Sequence, residues 1–205
     1  MITLYTSYYR DKSSIRQQEL EYCLQKNIDN AAIDKIVLLC EDQPALKSTK
    51  IVPFFEGRPT YKRFFNLINA QASQFDISLV ANSDIYFDET LRDIRLNGKT
   101  AIALSRYDIK NGEAKLHNCS GSQDTWIFQG KVLPIKYSDF NLGIPGCDNR
   151  IAWELQRAGY RLINPASTIK SYHYHPSDLH NYHDEPGVVK PHCYIAKPYL
   201  FVELT

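Results

Sequence analysis

Asn82-Ser83-Asp84 closes a short apolar run (Ile77, Leu79, Val80, Ala81), and a carboxylate at such a place can hold a divalent cation that bridges the phosphates of a nucleotide. The competing reading is a polar turn after a core strand, with Asp84 bonded to its own backbone. His173 and His175 flank Tyr174, so on an extended segment both imidazoles face one way and suit Mn²⁺ or Zn²⁺, unless they are plain polar surface. A site built from Asp84 and one histidine would be oxygen-rich, which favours Mn²⁺ or Mg²⁺ over Zn²⁺. Asp148 follows Gly143, Pro145 and Gly146 and opens a helical pattern; it is either a helix N-cap or a general base for an attacking hydroxyl. Asp124 starts a strand-like run and is either an acceptor for ligand hydroxyls or a surface residue. None of the five cysteines sits in a CxxC pair and none is marked as an activated nucleophile. Reduced, mostly buried thiols in a cytoplasmic setting are the expectation.

These residues need elements to position them. The run before Asp84 is short, β-branched and bounded by polar residues, which predicts a buried central strand with Asp84 just past its carboxyl end, where open α/β sheets bind ligands. Residues 2–8 predict a first strand ending at Thr6-Ser7-Tyr8. Ser14 and Gln17 have capping-box spacing before a helix with Leu20, Cys23, Leu24 and Ile28 on one face, and KIVLLC (35–40) completes a parallel βαβ unit. Residues 42–57 read mainly as loop, with a short strand over 50–55. Tyr61, Phe64, Phe65, Ile68 and Ala72 keep helical spacing, with Pro59 suited to the first turn. Arg63 lies on another face of that helix, either solvated or presenting a cation to the crevice.

Further on, 89–96 predicts a short helix, 100–104 a buried strand, 105–123 a mobile loop or hairpin at the mouth of the site, and 124–129 a strand with Trp126 and Phe128 on one face. Ile151, Leu155 and Ala158 mark a helix stopped by Gly159, and short strands follow over 160–163 and 168–172. The proline- and histidine-rich tail from His173 is expected to extend and fold back over the domain.

At 205 residues the chain is within the range of one domain. A net charge of +1 gives no case for non-specific nucleic-acid binding, and no apolar stretch is long enough to cross a membrane. Fourteen tyrosines against nine phenylalanines suit a sugar or base site, although half-buried tyrosines explain many such counts.

In order, these pieces resemble the GT-A glycosyltransferases. An opening strand ending in TSY, then VANSDIYFD like that family's DxD region, then GCDNRIAWELQRAGYRLINPAS and TIKSYHYH like the ending of its inverting members, cover most of the chain from residue 2 to residue 175. The resemblance implies a single Rossmann-like α/β domain with a mostly parallel central sheet flanked by helices, its nucleotide-binding part in the first half and its acceptor side in the second. It implies a nucleotide-sugar donor, UDP-linked, and a glycan or glycoconjugate acceptor. It further implies Asp84 and His173 or His175 around Mn²⁺ or Mg²⁺. Thr6, Ser7 and Tyr8 would contact base and ribose, Arg63 the nucleotide, Asn82 and Ser83 the donor beside Asp84, Asp124 the donor sugar, and Asp148 would be the base. Asn82 stands where the first acidic position of the DxD region falls, and Cys147 where a second carboxylate stands beside the base. A sugar-nucleotide nucleotidyltransferase is the alternative within the fold, but YYRDKSS after the first strand lacks its glycine-rich phosphate loop; a non-catalytic saccharide-binding module is the alternative outside it.

Overall fold

The parallel βαβ start is present in the computed structural model, which describes residues 1–97, 99–119, 121–177 and 205. Strand β1 (Ile2–Tyr8) leads through α1 (Ser14–Asp29) to β2 (Lys35–Cys40), with Thr3 opposite Lys35 and Tyr8 opposite Cys40. β3 (Ile51–Phe55) adds to the outer side of β2, an edge where Pro53 can lack its N–H. α2 (Tyr61–Gln71) returns the chain to the other side of β1, where β4 (Ile77–Ala81) pairs in parallel. The chain continues through β5 (Ile85–Phe87), a 3₁₀ turn (Glu89–Asp93), β6 (Thr100–Leu104), β7 (Tyr107–Lys110), β8 (Glu113–Leu116), β9 (Thr125–Gln129), α3 (Cys147–Arg157), β10 (Arg161–Ile163) and β11 (Ser171–His173).

Seven strands form the central sheet in the order β10-β6-β9-β4-β1-β2-β3. All run parallel except β9, which opposes both neighbours. The remaining four, β5-β11-β7-β8, make a small second sheet. Residues 105–123 therefore contain the β7–β8 hairpin, and His173 lies inside β11 rather than beyond it.

Strand alternation divides the core in two. Tyr5, Val37, Leu39, Val80, Trp126 and Phe128 face α2 and α3, while Leu4, Leu38, Leu79, Ile102 and Ile127 face the side of α1 and β5. Helices thus cover both faces of the sheet, as a mostly parallel sheet requires.

Two helix starts differ from expectation by one residue. Ser13, not Ser14, caps α1 by accepting from the Arg16 N–H, and Gln17 turns back to accept from the Asp11 N–H at 2.8 Å. Thr60 caps α2, which leaves Pro59 just outside the helix. Gly159, at φ +99°, ends α3 in the left-handed conformation that suits glycine. Among the described residues no helix is long and apolar enough to cross a membrane.

β5 follows Asp84 directly and sits at the edge of the small sheet, so its outer backbone groups need partners. Buried Asn27 on α1 supplies both, donating to the Ile85 carbonyl at 2.8 Å and accepting from the Phe87 N–H at 3.2 Å. Asn27→Ala should leave a buried donor and acceptor unpaired and destabilise the protein by about 2–4 kcal/mol in urea unfolding. A loss within about 0.5 kcal/mol, the range of an ordinary surface substitution, would show that β5 is held without it.

Candidate functional site

β1 and β4 are neighbours whose connections leave in opposite directions, outward to β2 and across through α2, so a crevice opens beyond their carboxyl ends. Because β9 is antiparallel it brings its amino end to that same edge: Thr125 stands opposite Ala81 of β4 and Leu104 of β6. Asp124 thereby arrives beside Asn82, and Ser105 and Arg106 follow from β6. A cavity of about 310 Å³ fills the crevice, its wall including Ser7, Tyr9, Arg16, Asn82, Asp84, Arg106, Asp124, Asp148, His173 and His175.

Asp84 is the node of this wall. Its Oδ2 accepts from Arg16 Nη2 at 2.5 Å and lies 3.3 Å from His173 Nε2, while the buried Oδ1 has no hydrogen-bond partner among the described residues. Burial alone would raise its pKa, but His173 and Arg16 together hold the carboxyl well below the usual carboxylate range. Ligand atoms of Asp84, His173 and His175 all lie within 4.8 Å of one another. The rings of the two histidines are 5.4 Å apart, nearly perpendicular, so the spacing of two does turn both toward one place. Burial and the nearby Arg16 charge lower the pKa of His175, whereas contact with Asp84 outweighs burial and raises that of His173.

A second ring of polar groups braces the first. His173 Nδ1 meets Asp108 Oδ1 at 3.1 Å; Arg106 donates to that Asp108 at 2.8 Å and to Asp124 at 2.7 Å; Asn82 donates to the other Asp124 oxygen at 2.9 Å. On the far side Arg16 donates to Glu19 at 2.9 Å, and Glu19 accepts from the Ser177 N–H at 2.6 Å. Asp88, by contrast, is occupied with local structure: it caps the 3₁₀ turn and accepts from the Tyr172 hydroxyl.

Asp148 stands in the first turn of α3, but the N-cap is Gly146, at φ +80° and without a side-chain bond. Capping therefore does not account for Asp148. Its Oδ1 lies 3.2 Å from the Cys147 thiol, which burial keeps protonated and able to donate. Burial first, and the negative charge of Asp124 second, push Asp148 up to about 8. The first turn of α3 favours the ionised form and works against that rise.

No protein-family model and no curated protein matches the chain. Solved structures do. A mannosyltransferase from Pyrobaculum calidifontis, in complex with GDP-Man and Mn²⁺, superposes with a TM-score of 0.55 at 12% identity, over 86% of this chain and 57% of its own. TarS 1–349 of S. aureus, in complex with UDP-GlcNAc, gives 0.54 at 11% identity, over 91% of this chain and 61% of its own. The chain spans less than two thirds of either protein. At these identities the likeness speaks for the fold alone. That fold is the Rossmann-like GT-A arrangement, with a mostly parallel central sheet flanked by helices.

Of the residues singled out in the sequence, Ser7, Asn82, Ser83, Asp84, Asp124, Asp148, His173 and His175 share the cavity wall. Thr6 and Tyr8 do not; they border a separate pocket of about 10 Å³ that Ser7 and Tyr9 also line, and the Tyr8 ring belongs to the core on the α1 side. Strand alternation is the reason, and Tyr9, just past the strand, faces the cavity instead. Arg63 lies away from it, paired with Glu56 at 2.9 Å. Arg16, Glu19, Arg106 and Asp108 were missed. Each reads locally as an ordinary helix or hairpin charge, and Arg16 meets Asp84 across 68 positions of chain. The histidines at 180, 183 and 192, Cys193 and the folding back of the tail lie outside the described residues. Of the other thiols, Cys23, Cys40 and Cys147 are buried and Cys119 is exposed.

The position of Asp148 has a consequence for stability. An unfolded aspartate ionises near 3.8, whereas folded Asp148 holds its proton to about 8. Between those values the unfolded chain has released a proton that the folded chain keeps, so this group lowers stability as the pH rises from about 4 to about 8. Asp148→Asn cannot ionise. Urea midpoints of the variant and the parent should lie closest at pH 4 and diverge with rising pH, the variant ahead at pH 8; curves that stay parallel would mean that Asp148 ionises as freely folded as unfolded.

Proposed function

We propose that the chain is a metal-dependent glycosyltransferase that moves a sugar from a nucleoside-diphosphate donor, UDP-linked, to a hydroxyl of a glycan or glycoconjugate, with inversion, in a cytoplasmic setting. The observation that carries this reading is the meeting of two kinds of group in one cavity: an Asp–His–His cluster suited to a cation and a half-buried carboxyl suited to accept a proton.

The residues fit a divalent cation. Asp84 offers an oxygen with no hydrogen-bond partner among the described residues, and two imidazoles stand beside its carboxylate. His173 is backed by Asp108, as metal-bound histidines are commonly backed by carboxylates. One oxygen and two nitrogens suit Mn²⁺ better than Mg²⁺, which prefers an all-oxygen shell. When bound, the cation would offset the charge of the diphosphate leaving group.

The remaining work belongs to the chain's own groups. Ser7, Tyr9, Asn82 and Ser83, at the ends of β1 and β4, form the wall against which the nucleotide and its diphosphate would lie. Arg106 and Asn82 hold Asp124 as an acceptor for donor-sugar hydroxyls. Asp148 takes the proton from the acceptor hydroxyl as its oxygen bonds to the anomeric carbon and the bond from that carbon to the diphosphate breaks. A single displacement of this kind inverts the anomeric centre. The shielded cavity raises the proton affinity of Asp148 toward working pH, where a base is most effective.

Turnover of UDP- and GDP-sugars with Mn²⁺ and glycan acceptors tests the reading, beside a nucleoside triphosphate plus sugar 1-phosphate for the nucleotidyltransferase alternative. Asp84→Ala should abolish Mn²⁺ binding and transfer together, and His173→Asn should weaken Mn²⁺ by roughly 10-fold or more; wild-type turnover in Asp84→Ala would remove the metal assignment. Asp148→Asn should bind donor as before and lose transfer by roughly 10²–10⁴-fold. In the parent, kcat/KM should climb with pH, reach half of its plateau at about pH 8 and level off above that, since the base must be ionised in the free enzyme. A profile flat from pH 5 to pH 9 would exclude Asp148 as that base.

A further inference from the structure

Arg16 shares a carboxylate with the cluster just described, and nothing in the transfer reaction as derived above accounts for it. The guanidinium comes from the first turn of α1, is buried, and is held by Nη2 on Asp84, by Nη1 on buried Glu19 and by a hydrogen bond shared with Tyr9. Glu19 is fixed in turn by the Ser177 N–H, and His175 Nε2 lies 3.9 Å away. With one nitrogen on Glu19, Arg16 cannot swing out to solvent without taking the guanidinium away from a buried carboxylate. It also forms part of the cavity wall, beside Ser7, Asn82 and Ser83.

This geometry sets two constraints on any cation at Asp84. Oδ1 has no hydrogen-bond partner among the described residues, so a ligand atom of Asp84 is left for the ion while Arg16 stays on Oδ2. Yet a fixed positive charge already sits on the other oxygen of the same carboxylate, and two like charges that close repel strongly in a shielded site. A lone divalent cation is therefore opposed. A cation that arrives with a diphosphate is not, because the phosphate oxygens supply the negative charge that both cations lack. The loop after β1, Tyr9-Arg10-Asp11-Lys12-Ser13, has no glycine with which to wrap a phosphate, and Arg16, three residues past that loop, lines the cavity with a cation.

We propose that Arg16 couples metal binding to donor binding: it holds Asp84 in the metal-free protein, resists a cation bound alone, and lends its charge to the diphosphate when cation and nucleotide enter together. This rests on the metal-site reading above. Linkage makes the coupling reciprocal, so Mn²⁺ must tighten the nucleotide by the same factor as the nucleotide tightens Mn²⁺.

Mn²⁺ binding followed by electron paramagnetic resonance, with and without UDP or GDP, and corrected for the Mn²⁺–nucleotide complex in solution, tests the proposal on the full chain. In the parent protein nucleotide should tighten Mn²⁺ on the order of 10-fold or more. Arg16→Gln should bind Mn²⁺ alone more tightly than the parent, on the order of 10-fold, and lose most of the enhancement by nucleotide. A role limited to bracing Asp84 predicts the opposite sign, weaker Mn²⁺ in every condition, and that result, an unchanged affinity, or an enhancement that survives the substitution overturns the coupling. Should Arg16→Gln fail to fold because Glu19 is stranded, Arg16→Gln with Glu19→Gln keeps the buried charges balanced and answers the same question. Asp84→Asn separates the two levels: if it binds Mn²⁺ as well as the parent, the metal site itself is misassigned, whereas loss of Mn²⁺ in Asp84→Asn with no gain in Arg16→Gln removes only the coupling.

Discussion

The carboxylate of Asp84 is buried and ionised, and the surrounding fold is arranged so that it can be. Taking an aspartate out of water favours its neutral form, yet Arg16 and His173 reverse that preference. The two partners come from separate elements, the first turn of α1 and strand β11, while Asp84 itself hangs from the end of β4. From His173 the charges continue through Asp108 and Arg106 to Asp124 and Asn82, which returns the chain of contacts to the residues just after β4. The loop so formed joins the central sheet to the small one. Removing one member strands a buried charge, which typically costs roughly 3–5 kcal/mol, so the network holds its own geometry in place as well as that of the cavity.

One reversed strand makes this closure possible. In a wholly parallel sheet every strand would send its carboxyl end to the crevice and its amino end to the opposite edge. β9 instead starts where β4 and β6 finish, so Asp124 sits at the head of a strand while Asn82 and Arg106 follow the tails of its neighbours. Three polar groups from three adjacent strands then meet within hydrogen-bonding distance. The same edge receives Asp148 from α3, and the proximity of Asp124 is part of why its proton is retained.

Much of this was legible along the chain, because strands and helices announce themselves by local periodicity. The limits of β1, β2 and β4, the buried face of α2 and the glycine stop of α3 follow from residues a few positions apart. Asp84 and the two histidines were also readable, the first from its place after an apolar run and the others from a spacing of two. The residues that hold them were not. Arg16 pairs with Asp84, and Asp108 with His173, through contacts 68 and 65 positions long, and no local pattern marks either. Strand direction was equally hidden: β9 has the same alternation whichever way it runs. The exchange of Tyr8 for Tyr9 at the cavity turns on which face of β1 meets the crevice, since one residue of extended chain moves a side chain to the other face.

The character of Asp148 bears on which reaction class suits the cavity. A nucleotidyltransferase joins a sugar phosphate to a nucleoside triphosphate, and its nucleophile is a phosphate oxygen that is already ionised near neutral pH. Such a reaction needs positive charge and no base. Sugar transfer to an alcohol reverses the requirement, because the attacking hydroxyl keeps its proton until the new bond is well advanced, and something must receive it. A carboxyl drawn up toward neutral pH by burial and by Asp124, fixed on the first turn of α3 and facing the same cavity as the Asp–His–His cluster, suits that second requirement, whereas the first has no use for it. Its neighbour points the same way. Cys147 is buried, protonated and donates to Asp148, which steadies the carboxylate as it ionises without adding a second negative charge where a neutral hydroxyl must approach.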